Sequence, residues 1–164
     1  GFVKTIKSLV GEREVIKANS GDDNKIIESE SEEEAYQIIR DKLGVEPVQI
    51  TKRPMKAQFL KFEYEKDMSV VELHYQCGDE NIIYIVNGDK AKNSIGIDRE
   101  DEVIEQYSLK RQGVLIEIKV CLLPETKTKR YFAHFNYQGG EYFLIGTMEK
   151  EEFEEIVNNL YFFK

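Results

Sequence analysis

Along FLKFEYEK, residues 59–66, the apolar side chains Leu60, Phe62 and Tyr64 alternate with the charged Lys61, Glu63 and Glu65. An extended chain points successive side chains to opposite faces, so this period of two predicts a strand with one buried and one wet face. SVVELHYQC and IIYIV stand on either side of Gly78-Asp79-Glu80-Asn81 and predict a hairpin with a four-residue loop. VIEQYSLK and GVLIEIKVCLL predict a second hairpin turning at Arg111-Gln112-Gly113, with Val114, Ile116, Ile118, Val120 and Leu122 on one face. A turn over 124–129 leads into RYFAHFNY, and Gln138-Gly139-Gly140 turns the chain into EYFLIG. In EYFLIG both faces are apolar, the mark of an interior strand.

The period changes at two places. Ser31-Glu32-Glu33-Glu34 fits a capping box in which the Ser31 hydroxyl accepts from the third backbone N–H and Glu34 reaches back. Ala35, Ile38, Ile39 and Leu43 follow on one face, Gly44 supplies a left-handed stop, and Pro47 prevents continuation, so a helix of about three turns is expected. Near the end of the chain, Phe153, Ile156, Val157 and Leu160 recur at helical spacing behind Thr147, which reads as the cap of a core-docking helix. FVKTIKSLV, residues 2–10, has weak helical spacing. GEREVIKANSGDDNK reads as a polar connection with a turn at Ser20-Gly21-Asp22-Asp23, and NGDKAKNSIGIDREDE as a surface loop or frayed edge.

Successive hairpins with a helix at either end predict an α+β domain: an antiparallel β-sheet meander covered by an N-terminal and a C-terminal amphipathic helix. Residues 1–27 are expected to be a separate segment or linker, and 28–164 a single domain. A chain of 164 residues buries enough surface to hold itself together without disulfides or metal. Its 41% hydrophobic and 33% charged residues, with three prolines, are globular rather than disordered. The net charge of −8, with no basic stripe, argues against nucleic acid as a partner. No apolar run is long enough to cross a bilayer. The chain begins Gly1-Phe2 without Met, which leads to the expectation that any signal or membrane anchor lies upstream.

Candidate chemistry reduces to a few groups. The Glu runs at 28–34 and 149–155 suit the positive ends of two helices better than an acid–base pair, which needs carboxylates held across a cleft. His74 and His134, with Cys77 and Cys121, lack metal-ligand spacing, and His74 and Cys77 fall on opposite faces of a strand. Both histidines alternate with polar neighbours and read as wet-face residues. Whether Cys77 and Cys121 pair depends on a separation that sequence does not give. The acidic stretch 98–102 lacks the spacing and glycine of a calcium loop, and neither nucleophile-elbow nor phosphate-loop motifs occur. Tyr64, Tyr75, Tyr84, Tyr131, Phe132, Phe135, Tyr137, Tyr142 and Phe143 lie on expected strands, as sheet-side core or as the lining of an apolar groove. No catalytic, cofactor-binding or metal-ligating residue is assigned.

Several short stretches carry a resemblance. Lys42-Leu43-Gly44, Glu46-Pro47-Val48 and Pro54 precede Leu73-His74-Tyr75 and Ile82-Ile83-Tyr84-Ile85. Tyr142-Phe143-Leu144-Ile145-Gly146 and the closing run from Glu151 to Leu160 complete the set. From about Glu28 to Phe163 the chain resembles the domain-of-unknown-function family 4367 of Gram-positive bacteria. That resemblance implies an extracytoplasmic C-terminal domain of membrane-anchored proteins, some anti-sigma-factor-like, or of lipoproteins. It transfers no functional residues.

The expectation is therefore a non-enzymatic, extracytoplasmic regulatory or sensing domain, tethered to the cell membrane or secreted, that contacts a protein or an envelope ligand. The alternatives are a carrier that holds a lipid or peptide between sheet and helices, and a hydrolase with an unusual site.

Overall fold

A computed structural model describes residues 4–10, 13–19, 26–91, 93–97 and 102–162. In chain order the strands and helices are β1 (Lys4–Val10), β2 (Arg13–Asn19), β3 (Ile26–Ser29), α1 (Glu32–Ile38), β4 (Gln49–Ile50), β5 (Ala57–Glu65), β6 (Val70–Cys77), β7 (Glu80–Asn87), β8 (Ser94–Ile97), β9 (Glu102–Arg111), β10 (Val114–Leu122), β11 (Lys129–Tyr137), β12 (Gly140–Thr147), α2 (Lys150–Asn158) and β13 (Leu160–Tyr161). A π-helical turn, Ile39–Leu43, extends α1.

The class is α+β. Eight strands form an antiparallel sheet in the order β3-β5-β6-β7-β12-β11-β10-β9. This differs from the single meander expected: β5-β6-β7 and β9-β10-β11-β12 are two meanders, joined where β7 pairs with β12. Both joining strands are apolar on both faces, which suits the middle of a covered sheet. β1, β2 and β8 make a smaller three-stranded sheet, and β4 pairs with β13. The stretch 4–10, read with weak helical spacing, is thus a strand, and the expected loop after β7 contains β8. β3 runs across the expected boundary between residues 27 and 28. The expected turn at 20–23 lies outside the described residues.

Turn chemistry sets the registers. Gln112-Gly113 and Gln138-Gly139 each have positive φ at both positions (51° and 82°; 43° and 83°), the primed two-residue turn whose twist matches its strands. The β6–β7 turn is Gly78-Asp79 alone, two residues rather than the four expected, because Glu80 and Asn81 already pair with Cys77 and Gln76. A bulge between Phe59 and Lys61 displaces Leu60, which is exposed, so Phe59 and not Leu60 joins Phe62 and Tyr64 against the core.

On the first face of the sheet, Leu73, Tyr84, Leu144, Ala133 and Ile118 form one buried row across five strands. They share a core cluster with Ala35, Tyr36 and Ile39 near the start of the chain and with Phe153, Ile156, Val157 and Leu160 near its end. Phe153 is fully buried, its ring stacked on Tyr131 at 5.2 Å. Two sheet tyrosines pin the segment after the π turn: the Tyr84 hydroxyl donates to Val48 O (2.6 Å) and Tyr142 to Glu46 O (2.5 Å). The Ser31 hydroxyl accepts from Glu34 N (3.3 Å) as expected, but Glu34 accepts from the Ser29 hydroxyl instead of reaching back to Ser31. Gly44 ends the turn at φ 70°. Thr147 does not cap α2. It remains in β12 opposite Arg130, whose Nε donates to its hydroxyl, and Glu149 is the N-cap residue without a side-chain cap.

Candidate ligand site on the second face of the sheet

The opposite face is not the wet surface that alternation suggests. Val70, Ile83, Ile85, Phe132, Phe143 and Ile145 make a buried apolar strip down its middle, with Met68 and Ile95 against it. β1 lies beside β7, and β8 supplies Ile95, so the three-stranded sheet is stacked on this side. Polar side chains flank the strip on both sides.

On the β10–β11–β12 side, Ile95, Glu117, Lys119, Phe132, His134, Glu141 and Phe143 line a cavity of about 250 Å³. Register explains the grouping. Lys119 stands opposite Phe132, Glu117 opposite His134, and His134 opposite Phe143, so all of them project from the same face. The His134 ring stacks on Phe143 at 4.7 Å, and its Nε2 lies 2.9 Å from Glu141 Oε2. Asn87 Nδ2 donates to the other Glu141 oxygen (3.1 Å), and buried Asn93 donates to Asn87 Oδ1 (2.9 Å) and to Met68 O. A continuous hydrogen-bonded chain thus runs from the β7–β8 loop to the imidazole. The hydrogen bond from His134, joined by the one from Asn87, holds the Glu141 carboxyl below its usual pKa despite partial burial. The cavity therefore presents carboxylates, an ammonium and an imidazole over an aromatic floor.

On the β5–β6 side, Glu63, Glu72 and His74 bring one donor atom each within 4.8 Å of one another. Glu63 faces Glu72 across the strand pair, and Glu72 is fully buried. Two carboxylates and an imidazole are a donor set for a divalent metal. The cluster is also knit internally: Lys61 Nζ lies 3.1 Å from Glu63 Oε1, and His74 Nε2 lies 3.3 Å from Glu72 Oε1, an ion-pair distance without hydrogen-bond alignment. The Glu63 contact raises the Lys61 pKa, so one carboxylate of the set is already paired with a cation.

A third polar group lies on the helix side. Arg53 Nη1 donates to both Glu32 oxygens at 3.1 Å, and its guanidinium sits 5.1 Å from the Tyr75 ring centre. Tyr75, almost wholly buried, donates to Glu32 (2.5 Å), and the Tyr36 hydroxyl accepts from Ile50 N (3.1 Å). Burial pushes Tyr36 up to about 12 and Tyr75 further still, so both remain protonated donors. Glu32 thus does more than complement a helix end.

A family model described as Domain of unknown function (DUF4367) matches residues 47–160, well over half of the chain. The chain belongs to the DUF4367 family. No curated protein and no solved structure matches it. The DUF4367 match begins after α1 and takes in both meanders and α2, hence both histidine clusters. Within this DUF4367 domain, His74 and His134 lie on the same face but on strands separated by β7 and β12, each with its own glutamate. Cys77 and Cys121 are not joined in a disulfide. Cys77 is in the first-face row of Tyr75 and Cys121 in the second-face row of Lys119, which keeps them apart. Residues 98–101 of the acidic stretch lie outside the described residues. Alternation alone missed the buried Glu72 and the Glu141 network, because it does not show what covers the second face.

Proposed function

We propose that this DUF4367 domain is a non-enzymatic sensing domain of a membrane-anchored protein, placed outside the cytoplasm, and that it recognises a small zwitterionic ligand on the second face of its sheet. In this reading α1 and α2 are a fixed cover over the first face and leave the other for recognition. The cavity under Ile95 carries the proposal, because Lys119 answers a carboxylate, Glu117 answers an ammonium, and Phe132 with Phe143 forms an apolar floor. Its 250 Å³ is the space of about eight water molecules, the scale of an amino acid or amino sugar. The Asn93–Asn87–Glu141–His134 chain holds the wall in position, as recognition of a small polar molecule requires. An apolar carrier built between sheet and helices has less support, since Tyr84, Phe135, Tyr142 and Phe153 occupy that space as fully buried side chains.

Calorimetric titration with amino acids, dipeptides and amino sugars tests the ligand. Saturable binding that Lys119→Ala or Glu117→Gln weakens by about tenfold or more supports the reading, as loss of a charged contact should. Binding indifferent to both substitutions, or none across the panel, overturns it. Protease treatment of intact cells making the full gene product tests the placement, and protection of this domain would contradict it.

A further inference from the structure

β9 is the longest strand of the main sheet and one of its edges, and among the described residues it pairs only with β10. Residues 102–106 are all exposed, as are Ser108 and Lys110. α2 reaches the strand on the first face, where Tyr107 donates to Glu154 (3.2 Å) and Lys150 lies 3.8 Å from Glu105, but no described strand pairs with its outer edge. The opposite edge, β3, has only four residues. A long uncovered edge presents backbone N–H and C=O groups ready to pair with another strand.

We propose that β9 pairs antiparallel with β9 of a second copy of this chain, about a dyad at Ser108. The bulge at Ile104, where Val120 pairs with Glu105 and Cys121 with Val103, limits the regular edge to residues 105–111. A dyad perpendicular to the sheet keeps each face on its own side, so residues of one face meet residues of the same face. On the first face, where Glu105, Tyr107, Leu109 and Arg111 oppose Val120, Ile118, Ile116 and Val114 of β10, the dyad sets Glu105 against Arg111 and Tyr107 against Leu109, each pair twice. Arg111 is already held in place by its Nε donating to Leu160 O (3.3 Å). The regular strand is acidic at its start and basic at its end, and only antiparallel self-pairing brings those ends together. Parallel pairing in register would oppose like charges. The two sheets become one sheet of sixteen strands, and the second-face cavities of both copies open on the same side.

Sedimentation velocity over a concentration series, at about 0.15 M salt to screen the repulsion between two acidic copies, tests this. The wild type dimerises. Glu105→Arg and Arg111→Glu, each alone, raise the dissociation constant by about tenfold, and an equimolar mixture of the two variants returns to within about threefold of wild type, because each copy then supplies the other's missing sign. Gln106→Lys, weak alone and rescued by Lys110→Glu, repeats the exchange on the second face. Hydrogen exchange reports slower amide exchange over 105–111 as concentration rises. A wild type that stays monomeric up to about 1 mM overturns the proposal. So does a dimer that none of these substitutions weakens, or a mixture that does not recover.

Discussion

Phe153→Ala tests how firmly α2 is docked on the sheet. Phe153 is fully buried, stacked on Tyr131 at 5.2 Å, and belongs to the same cluster as Ile156, Val157 and Leu160. Removing the ring forfeits roughly 1.5–3 kcal/mol of apolar burial. β11 and β10 beneath it are held on both sides by sheet hydrogen bonds and cannot collapse into the gap. A residual cavity of about 80 Å³, at about 24 cal/mol per Å³, then adds about 2 kcal/mol. The expected loss is about 3–5 kcal/mol, and with a urea slope of about 2 kcal/mol per molar the midpoint falls by about 2 M at unchanged slope. Phe153→Leu, which refills most of the gap, should cost less than about 1.5 kcal/mol. Urea titration followed by far-ultraviolet circular dichroism measures both. A loss below about 1 kcal/mol for the alanine variant would refute the reasoning, because it would mean that the helix leaves the sheet without consequence.

Three further outcomes are expected. The folded pKa of Glu141 lies below its ordinary value, so the contribution of its ionised form is present above the ordinary carboxylate range and disappears as pH falls through the folded pKa. The stability gap between wild type and Glu141→Gln should therefore narrow from about pH 7 to about pH 3, as thermal melts across that range would show. Tyr75→Phe removes the donor to Glu32 and leaves Arg53 as its main partner, with an expected loss of about 1–2 kcal/mol by chemical denaturation. Gly88→Ala would place a Cβ 2.9 Å from Leu43 Cβ and 3.2 Å from Ser69 O, so a loss of about 1–3 kcal/mol is expected, and an unchanged melting temperature would show that the π turn yields freely.

The local grammar of the chain was legible where one residue type settles one geometry. Ser31 and Gly44 bound the first helix, and the glycine-bearing turns at Gln112-Gly113 and Gln138-Gly139 fix two hairpins. The second of these turns, expected with three residues, pointed to no site, yet its two-residue form carries the signal that would have found the candidate site. A two-residue turn after Tyr137 puts Asn136 opposite Glu141 and His134 opposite Phe143, which brings His134 and Glu141 together on one face. Alternation could not rank β7 against β12, since IIYIV and YFLI are apolar on both faces and fit any interior position. Nor could it foresee the bulge at Leu60, which reverses which residue enters the core without altering composition. Glu72 read as a wet-face residue because its neighbours alternate as wet-face residues do. It is nevertheless fully buried, which alternation along its own strand does not reveal.

The β7–β12 pairing has a consequence for how the chain reaches its final form. Most other ladders of the main sheet join strands consecutive in sequence and close over short turns, whereas this one brings Asn87 to Glu141, 54 residues apart. Short closures are entropically cheap and fast, and long ones wait until enough surface has gathered to reward them. The two meanders are therefore expected to take shape as separate local units, with their union along β7 and β12 as the slow event. Until then each half shows a bare apolar edge, so newly made chains are most vulnerable to sticking to one another in that interval.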